Sequence, residues 1–587
     1  MANSQPFQVV EFDMDYCNLT YGTAPCAAAL GVTGQYKCFN TFATCQSSLN
    51  FDKGVKTVKY CYNRGNVPLG LDAFPVLRDV SLFTSTVNIA GANEGQGAFG
   101  RRGTVSITLN DFPDGDQFFD KYLDQRISGA AQVDAIGYDP VKFGSHFTKL
   151  KARFPHYANR PLRVLDGELI NDVFVVNKTR HFIITNFSGP DDSGKFVIEG
   201  KDVLALADDK KALAPKPSRG KLGVAIGTGL VTFNLTPVGI GVEYATSGYA
   251  SIGSEIVTFT RSGDNITLTG RGLEGTVASN KSINDTFQQA IKLTSTRLDD
   301  FLEDLLINYA KVDPSFVPKV SKWEPLVTRW MSNTRLDTVI TKPTGVAQLV
   351  GELASLGISI WWDDVLQEIS LLPNTPVSQS NIYEVTDGLN IKAIRQEDKD
   401  EDRITQIHFY SVQIDPTKDY KDKSNYLRVD VLVDTKSEGP NAFNDTRVKE
   451  IFCRFFNKGA ESAVRTLSLR LLRRLNTSPV TYTMKLDNRD DELSLTDVLR
   501  VTTRVITSPT GREDQKLLQV FRKSESNAKG EFEVAAQDFT FEGKFGYCMP
   551  NGSPNYATAT PEQKATGNFA VGPTLVFPDN EGPYEAI

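Results

Sequence analysis

Apolar and polar residues alternate along much of this chain. Residues 80–89 (VSLFTSTVNI) and 104–110 (TVSITLN) carry apolar side chains at nearly every second position, the period at which a strand turns one face to a core. A glycine-rich stretch, GANEGQGAFGRRG, separates them and predicts a long loop. Further strands are predicted at 161–164, 172–176, 181–187 and 195–201, then a short helix at 202–208 and a linker in ALAPKPSRGK. Short, regularly spaced strands with polar turns predict a first barrel-like β domain over residues 67–217.

Residues 218–293 are dense in glycine and threonine, with a hairpin where IVTFT and NITLT flank RSGD. They predict a small all-β insertion. The period turns helical over 294–380. Leu298, Phe301, Leu302, Leu305 and Leu306 share one face, and Val346, Leu349, Val350, Leu353 and Leu356 share another. A hairpin follows, with Trp361 and Trp362 read as core or interface residues rather than a ligand platform. From 381 to 545 strands return at 389–394, 404–410, 426–433 and 481–486. They surround a helix at 460–475 that has Ala463, Leu467, Leu471 and Leu475 on one face and Arg465, Arg470, Arg473 and Arg474 on others. This is a second β domain. The DNRDD run at 487–491 reads as a solvated turn rather than a calcium loop, and 546–587 as an extended C-terminal arm. The fold class is therefore mainly β, an α+β multidomain chain.

Composition narrows the function classes. A length of 587 residues with 40% hydrophobic and 23% charged side chains fits several globular cores and excludes a disordered or fibrous chain. A net charge of −7 argues against a general nucleic-acid-binding surface. The uncharged stretch 222–242 holds five glycines and a proline, which favours a pair of strands over a membrane span.

The cysteines change the picture most. Five of the seven lie in the first 61 residues, and Cys17, Cys26, Cys38 and Cys45 form C-x8-C and C-x6-C pairs within a glycine-broken, aromatic-rich segment over 1–66. A segment of this size has too little apolar surface to fold alone, so a cross-link or metal is expected. Zinc usually takes tighter knuckles, often with histidine, and the first histidine is His146. Disulfides suit a secreted chain, but the N-terminus has no leader pattern. Four thiolates without histidine suit an iron–sulfur cluster. All three chemistries stay open on spacing alone.

With these pairs and the phrase CFNTFATCQ, the segment resembles the cluster-binding domain of phage tail-tip proteins of the lambda minor tail protein type. The resemblance implies a [4Fe–4S] cluster on Cys17, Cys26, Cys38 and Cys45, with Cys61 as a possible substitute ligand. The phrases RGLEGT, FLEDLLINYAKVDP, KWEPLVTRW, GVAQLVGELASLGISIWWDD, DRITQIHFY and RTLSLRLLRRL are similar, in this order, to the baseplate hub of long-tailed phages and gene-transfer particles. That family implies two hub barrels per subunit and a homotrimer closing the tail tube. Its partners would be distal tail and tail-tube proteins, a tape measure protein, and fibre or tip proteins, with passage of DNA, host-envelope contact and assembly in the bacterial cytoplasm into a virion. Fusion of the cysteine segment to the front of the hub departs from the lambda arrangement, where the two lie on separate chains.

The competing readings are an iron–sulfur oxidoreductase, a tail-borne cell-wall hydrolase and a secretion-system spike component. The chain has no G-x-S-x-G, HExxH or nucleotide-binding motif, and His146, His156, His181 and His408 lie far apart in sequence. No catalytic residue is therefore expected.

Overall fold

The computed structural model describes residues 4–34, 38–63, 67–83, 85–91, 97, 99–118, 120–123, 144–375, 382–477, 479–487, 493–526, 531–538, 546–548, 560 and 568–570. They form two compact units.

The first unit (1–84, 102–203 and 362–367) is built on a closed barrel of seven strands. In chain order these are β1 (Ser4–Cys17), β2 (Lys53–Tyr62), β3 (Phe74–Phe83), β4 (Thr104–Asn110), β5 (Pro161–Ile170), β6 (Val173–Ser188) and β7 (Lys195–Lys201). Around the barrel the order is β1-β2-β3-β4-β7-β6-β5, and pairing of β5 with β1 closes it. All neighbours are antiparallel except β2 and β3. Closure removes exposed sheet edges, the usual liability of an open sheet.

The alternation read in TVSITLN is the inward face of β4, where Val105, Ile107 and Leu109 are buried. They pack with Phe12, Tyr60, Leu162, Phe196 and Ile198. Gly200 lies where walls of this core meet: a Cβ there would stand 2.7 Å from Leu162 Cδ2 and 2.8 Å from Val105 Cγ1. Helix α1 (His146–Arg153) adds Phe147 and Leu150 to the same core.

The sequence boundary at residue 66 does not survive. Val10, Phe12 and Met14 alternate into the barrel core, as do Val58 and Tyr60, so the flanks of the cysteine segment are barrel strands. The first β domain thus starts at Ser4, and the cysteines sit on the loop between β1 and β2. Two other stretches leave the expected first domain: 85–101 and 204–217 belong to the second unit.

The second unit begins, after the two-residue strand β8 (Leu213–Ala214), with a seven-stranded sheet in the order β15-β14-β11-β12-β13-β10-β9. Its strands are β9 (Lys221–Leu222), β10 (Thr232–Thr236), β11 (Ser247–Ile252), β12 (Glu255–Ser262), β13 (Asn265–Gly270), β14 (Phe287–Arg297) and β15 (Arg335–Ile340). The insertion does not end at 293, because β14 runs on past a register shift to Arg297 and pairs with β15. The RGLEGT phrase is a structural pin: Arg271 meets fully buried Glu255 through Nε and Nη2, and donates to the carbonyls of Gly227, Gly229 and Ser279.

Leu298, Phe301, Leu302, Leu305 and Leu306 are all buried, as the helical period predicts. Trp361 and Trp362 are core, at 8% and 4% exposure, and Trp362 Nε1 donates to His181 O. After the short strands β16 (Thr344–Gly345), β17 (Ile358–Asp363) and β18 (Glu368–Pro373), a six-stranded sheet of β19 (Ile382–Thr386), β20 (Ile391–Asp398), β24 (Val480–Asp487), β25 (Val498–Thr507), β26 (Glu513–Ser526) and β27 (Glu531–Asp538) makes the second β region. Its order, β19-β25-β26-β27-β24-β20, puts consecutive strands at its two edges, with one bridge between Asp387 and Ile391 across the turn that joins them. It is a curled sheet rather than a closed barrel. Between β20 and β24 lie a three-stranded sheet, β22-β21-β23 (Tyr426–Val433, Gln406–Gln413, Val448–Phe452), and the helix Glu461–Leu475. Residues 488–491 of the DNRDD run and most of the C-terminal arm lie outside the described residues. Among the described residues, no helix is long and apolar enough to cross a membrane.

Candidate metal centre in the loop between β1 and β2

Cys17 is the last residue of β1, paired with Lys53 at the start of β2, so both ends of the cysteine loop are fixed by the barrel. Asn40 buckles the loop. Buried and in the left-handed region (φ 58°), it donates through Nδ2 to the carbonyls of Cys17 and Leu19 at 3.0 Å each, and its own carbonyl accepts Cys17 N–H at 2.7 Å. Asn tolerates this backbone where most residues do not. A single turn at Phe42–Thr44 then brings Cys45 round, its N–H donating to Phe42 O. Gln46 Oε1 gathers the hydroxyls of Tyr21 and Thr33, each at 3.1 Å.

The loop is tied to its surroundings by polar and stacking contacts. Tyr122 Oη accepts Tyr21 N–H at 2.6 Å. The Arg153 guanidinium lies 3.9 Å over the Phe39 ring, next to Cys38, and is held there by two hydrogen bonds to fully buried Asp116, at 2.8 and 3.0 Å. Among the described residues of 18–52, only Ala28, Cys38, Asn40 and Thr41 are buried. Leu30, Val32, Phe42 and Leu49 are exposed. The described residues of the loop form no apolar core of their own.

No disulfide joins Cys17, Cys26, Cys38, Cys45, Cys61 or Cys453, the cysteines with described side chains. Burial pushes the Cys38 thiol up, and the thiolates of Cys45, Cys26 and Cys17 push the same way, while the Asn40 N–H on its sulfur opposes them. Burial likewise raises Cys45, the Ser47 N–H opposes, and Cys17 and Cys26 add to the rise. Cys38 thus feels the charges of the other three, and Cys45 those of Cys17 and Cys26. Tyr16 feels the same set: burial, Asp120 and Tyr122 push it up to about 12, with Cys38 and Cys17 contributing. Cys61 stands apart. It is raised to about 11 by burial alone, in a small cluster with Phe7 and Val9, which is the behaviour of a packed apolar side chain.

A lone zinc ion, bonded at about 2.3 Å to each sulfur, requires ligands converged on one point. Among the described residues no group of three or more His, Cys, Asp or Glu side chains is arranged to hold a metal ion. An iron–sulfur cluster takes one cysteine per iron and so accepts a wider spread of sulfurs. Backbone N–H groups aimed at Cys38 and Cys45 oppose the effect of burial without cancelling it, so both thiols stay above their ordinary value. The donor types present, four cysteines on one loop, are those an all-thiolate centre uses.

Sequence reasoning missed the residues that hold the loop, namely Asn40, Tyr122, Asp116 and Arg153. It also missed a buried chain in which Tyr60 Oη meets His146 Nε2 at 2.9 Å and His146 Nδ1 meets Asp114 at 2.8 Å. Tyr60 and His146 are fully enclosed and Asp114 is 6% exposed, so this chain fixes the start of α1 rather than offering a reactive base to substrate. No motif announces these contacts, because each joins residues far apart in sequence.

No protein-family model and no curated protein matches the chain. Among solved structures, it is similar to a tail protein from Neisseria meningitidis MC58 at 9% identity and TM-score 0.34, covering 78% of this chain and 97% of that one. It is similar to the prophage tail protein gp18 from Listeria monocytogenes EGD-e at 9% identity and TM-score 0.32, covering 82% and 91%. A chain in the virion of a native gene transfer agent particle aligns at 11% identity and TM-score 0.27, covering 57% of this chain and 92% of its own length.

Proposed function

We propose that this chain is a structural protein of a phage-type tail tip, a hub whose homotrimer closes the tail tube, anchors tip or fibre proteins and opens for DNA. The cysteine loop would be stapled by a [4Fe–4S] cluster on Cys17, Cys26, Cys38 and Cys45. The observation that carries the reading is the loop itself. It combines four thiols, of which Cys38 feels the charges of the other three, with almost no buried apolar surface among its described residues, hung between adjacent strands of a closed barrel. Such a loop gains its order from a cross-link, and a cluster joining four of its points supplies one. When bound, the cluster also supplies a redox-active centre. The protein's own part is to present the sulfurs, shield Cys17 and Cys38 from water and direct N–H groups at Cys38 and Cys45.

Assembly is supported by a second feature. Leu427, Val429, Val431 and Val433 form an apolar row on β22, exposed by 62%, 45%, 53% and 39%. Alternation puts them on one face. A contiguous apolar face of this kind on a soluble protein marks a contact surface, here assigned to a second copy of the chain. Light scattering tests the trimer, with a stable monomer at high concentration as the contrary result. Metal and sulfide analysis tests the staple.

A further inference from the structure

The helix Glu461–Leu475 buries arginines as well as leucines. Arg474 is satisfied by amide oxygens, Nη1 to Asn374 Oδ1 at 3.2 Å and Nη2 to Gln519 Oε1 at 2.6 Å. Arg470, one turn earlier and only 8% exposed, is not so provided for. It makes a single hydrogen bond, from Nη1 to Trp330 O at 3.0 Å, and its buried Nε has no partner. Among the described residues no carboxylate pairs with it, and burial alone pushes its guanidinium down to about 10.

Arg470 lines a small open cleft of about 30 Å³, together with Arg329, Trp330, Asn333, Thr334 and Thr466. Both guanidinium groups lie over the Trp330 indole, at 5.4 Å for Arg329 and 5.8 Å for Arg470. Two guanidinium residues, three hydroxyl residues (Ser332, Thr334 and Thr466) and one amide residue thus line one concavity. A buried guanidinium with an unmet donor costs desolvation free energy that an anion returns most fully, and its fork matches the paired oxygens of carboxylate or phosphate.

We propose that this cleft is a binding site for a compact oxyanion, a phosphate or carboxylate group, with Arg470 as its principal ligand and the hydroxyls of Thr334 and Thr466 as further donors. Site and ligand are independent of the cysteine loop.

The test is thermal melting of the full chain in inorganic phosphate against chloride at equal ionic strength, for the wild type and Arg470→Met. The wild-type midpoint rises by about 1–2 °C at ten times the dissociation constant. Arg470→Met keeps its circular dichroism and loses the response. An equal shift in both proteins, or phosphate acting no differently from chloride on the wild type, overturns the assignment. Should Arg470→Met not fold, Arg470→Lys, which keeps the charge without the fork, decides by broadening of the phosphorus resonance of inorganic phosphate. The wild type broadens it more than Arg470→Lys does, and equal broadening overturns the site.

Discussion

Asp116→Asn tests the tie between barrel and cysteine loop. Asp116 is fully buried and faces two cations: Arg153 through two hydrogen bonds, and Lys149 at 3.4 Å. The side chains of Lys149 and Arg153 are 4% and 12% exposed, so neither charge can turn to bulk water without moving α1. An amide keeps the shape and removes the charge, leaving both cations buried beside a neutral group. Breaking a buried pair in this way costs about 3–5 kcal/mol. Because Arg153 is partly solvated, the lower end applies, about 3 kcal/mol, or roughly a hundredfold in a local opening equilibrium. A loss confined to α1 and the loop need not move a global unfolding midpoint. Native-state hydrogen exchange resolves it locally. Peptides covering His146–Arg153 and Phe39–Cys45 should exchange about two decades faster in Asp116→Asn, while those from the β24–β27 sheet stay unchanged. Adding Lys149→Met should recover part of the loss, since the residues are coupled. A change of less than tenfold at α1, or one spread evenly over the chain, would refute the reasoning.

Gly200→Ala should destabilise the barrel by about 1–3 kcal/mol, measured by exchange in β4 and β7, because the new methyl would lie 2.7 Å from Leu162 Cδ2 and 2.8 Å from Val105 Cγ1. For Glu255, burial pushes the carboxyl up, but Arg271, the Ser279 N–H and Lys281 outweigh it, and the result lies below the ordinary value of 4.5. Its contribution is therefore present above pH 4.5 and lost as pH falls through the lower folded value; acid titration of melting should show this loss in the wild type and a flatter profile in Glu255→Gln. Val429→Asp with Val431→Asp should change monomer stability by only about 0.5 kcal/mol, since both side chains are exposed, yet abolish the trimer in light scattering.

Local pattern carried the strands and helices further than the domain boundaries. Val105, Ile107 and Leu109 alternate in sequence and all point inward, and the Leu298–Leu306 face is wholly buried. Closure of the barrel was not legible, since it rests on pairing Ser4–Phe12 with residues some 150 positions later. The same alternation was present in Val10, Phe12 and Met14, but the neighbouring cysteines drew that stretch into a separate unit. At the candidate centre, spacing picked out four cysteines as an expectation; Cys38 feels the charges of the other three, whereas Cys61 is raised by burial alone. Arg153 on Phe39 and Tyr122 on Tyr21 join residues about a hundred positions apart, which no local pattern encodes.

The central claim is that an inorganic core on four thiolates orders a loop whose described residues form no apolar core. Anaerobically purified protein, assayed together for visible absorption, iron and acid-labile sulfide, tests it most directly. The account predicts a brown protein with about four irons and four sulfides per chain, both lost in Cys17→Ser and in Cys45→Ser but retained in Cys61→Ser. A colourless, iron-free chain whose loop is as protected from exchange as the barrel strands would contradict it.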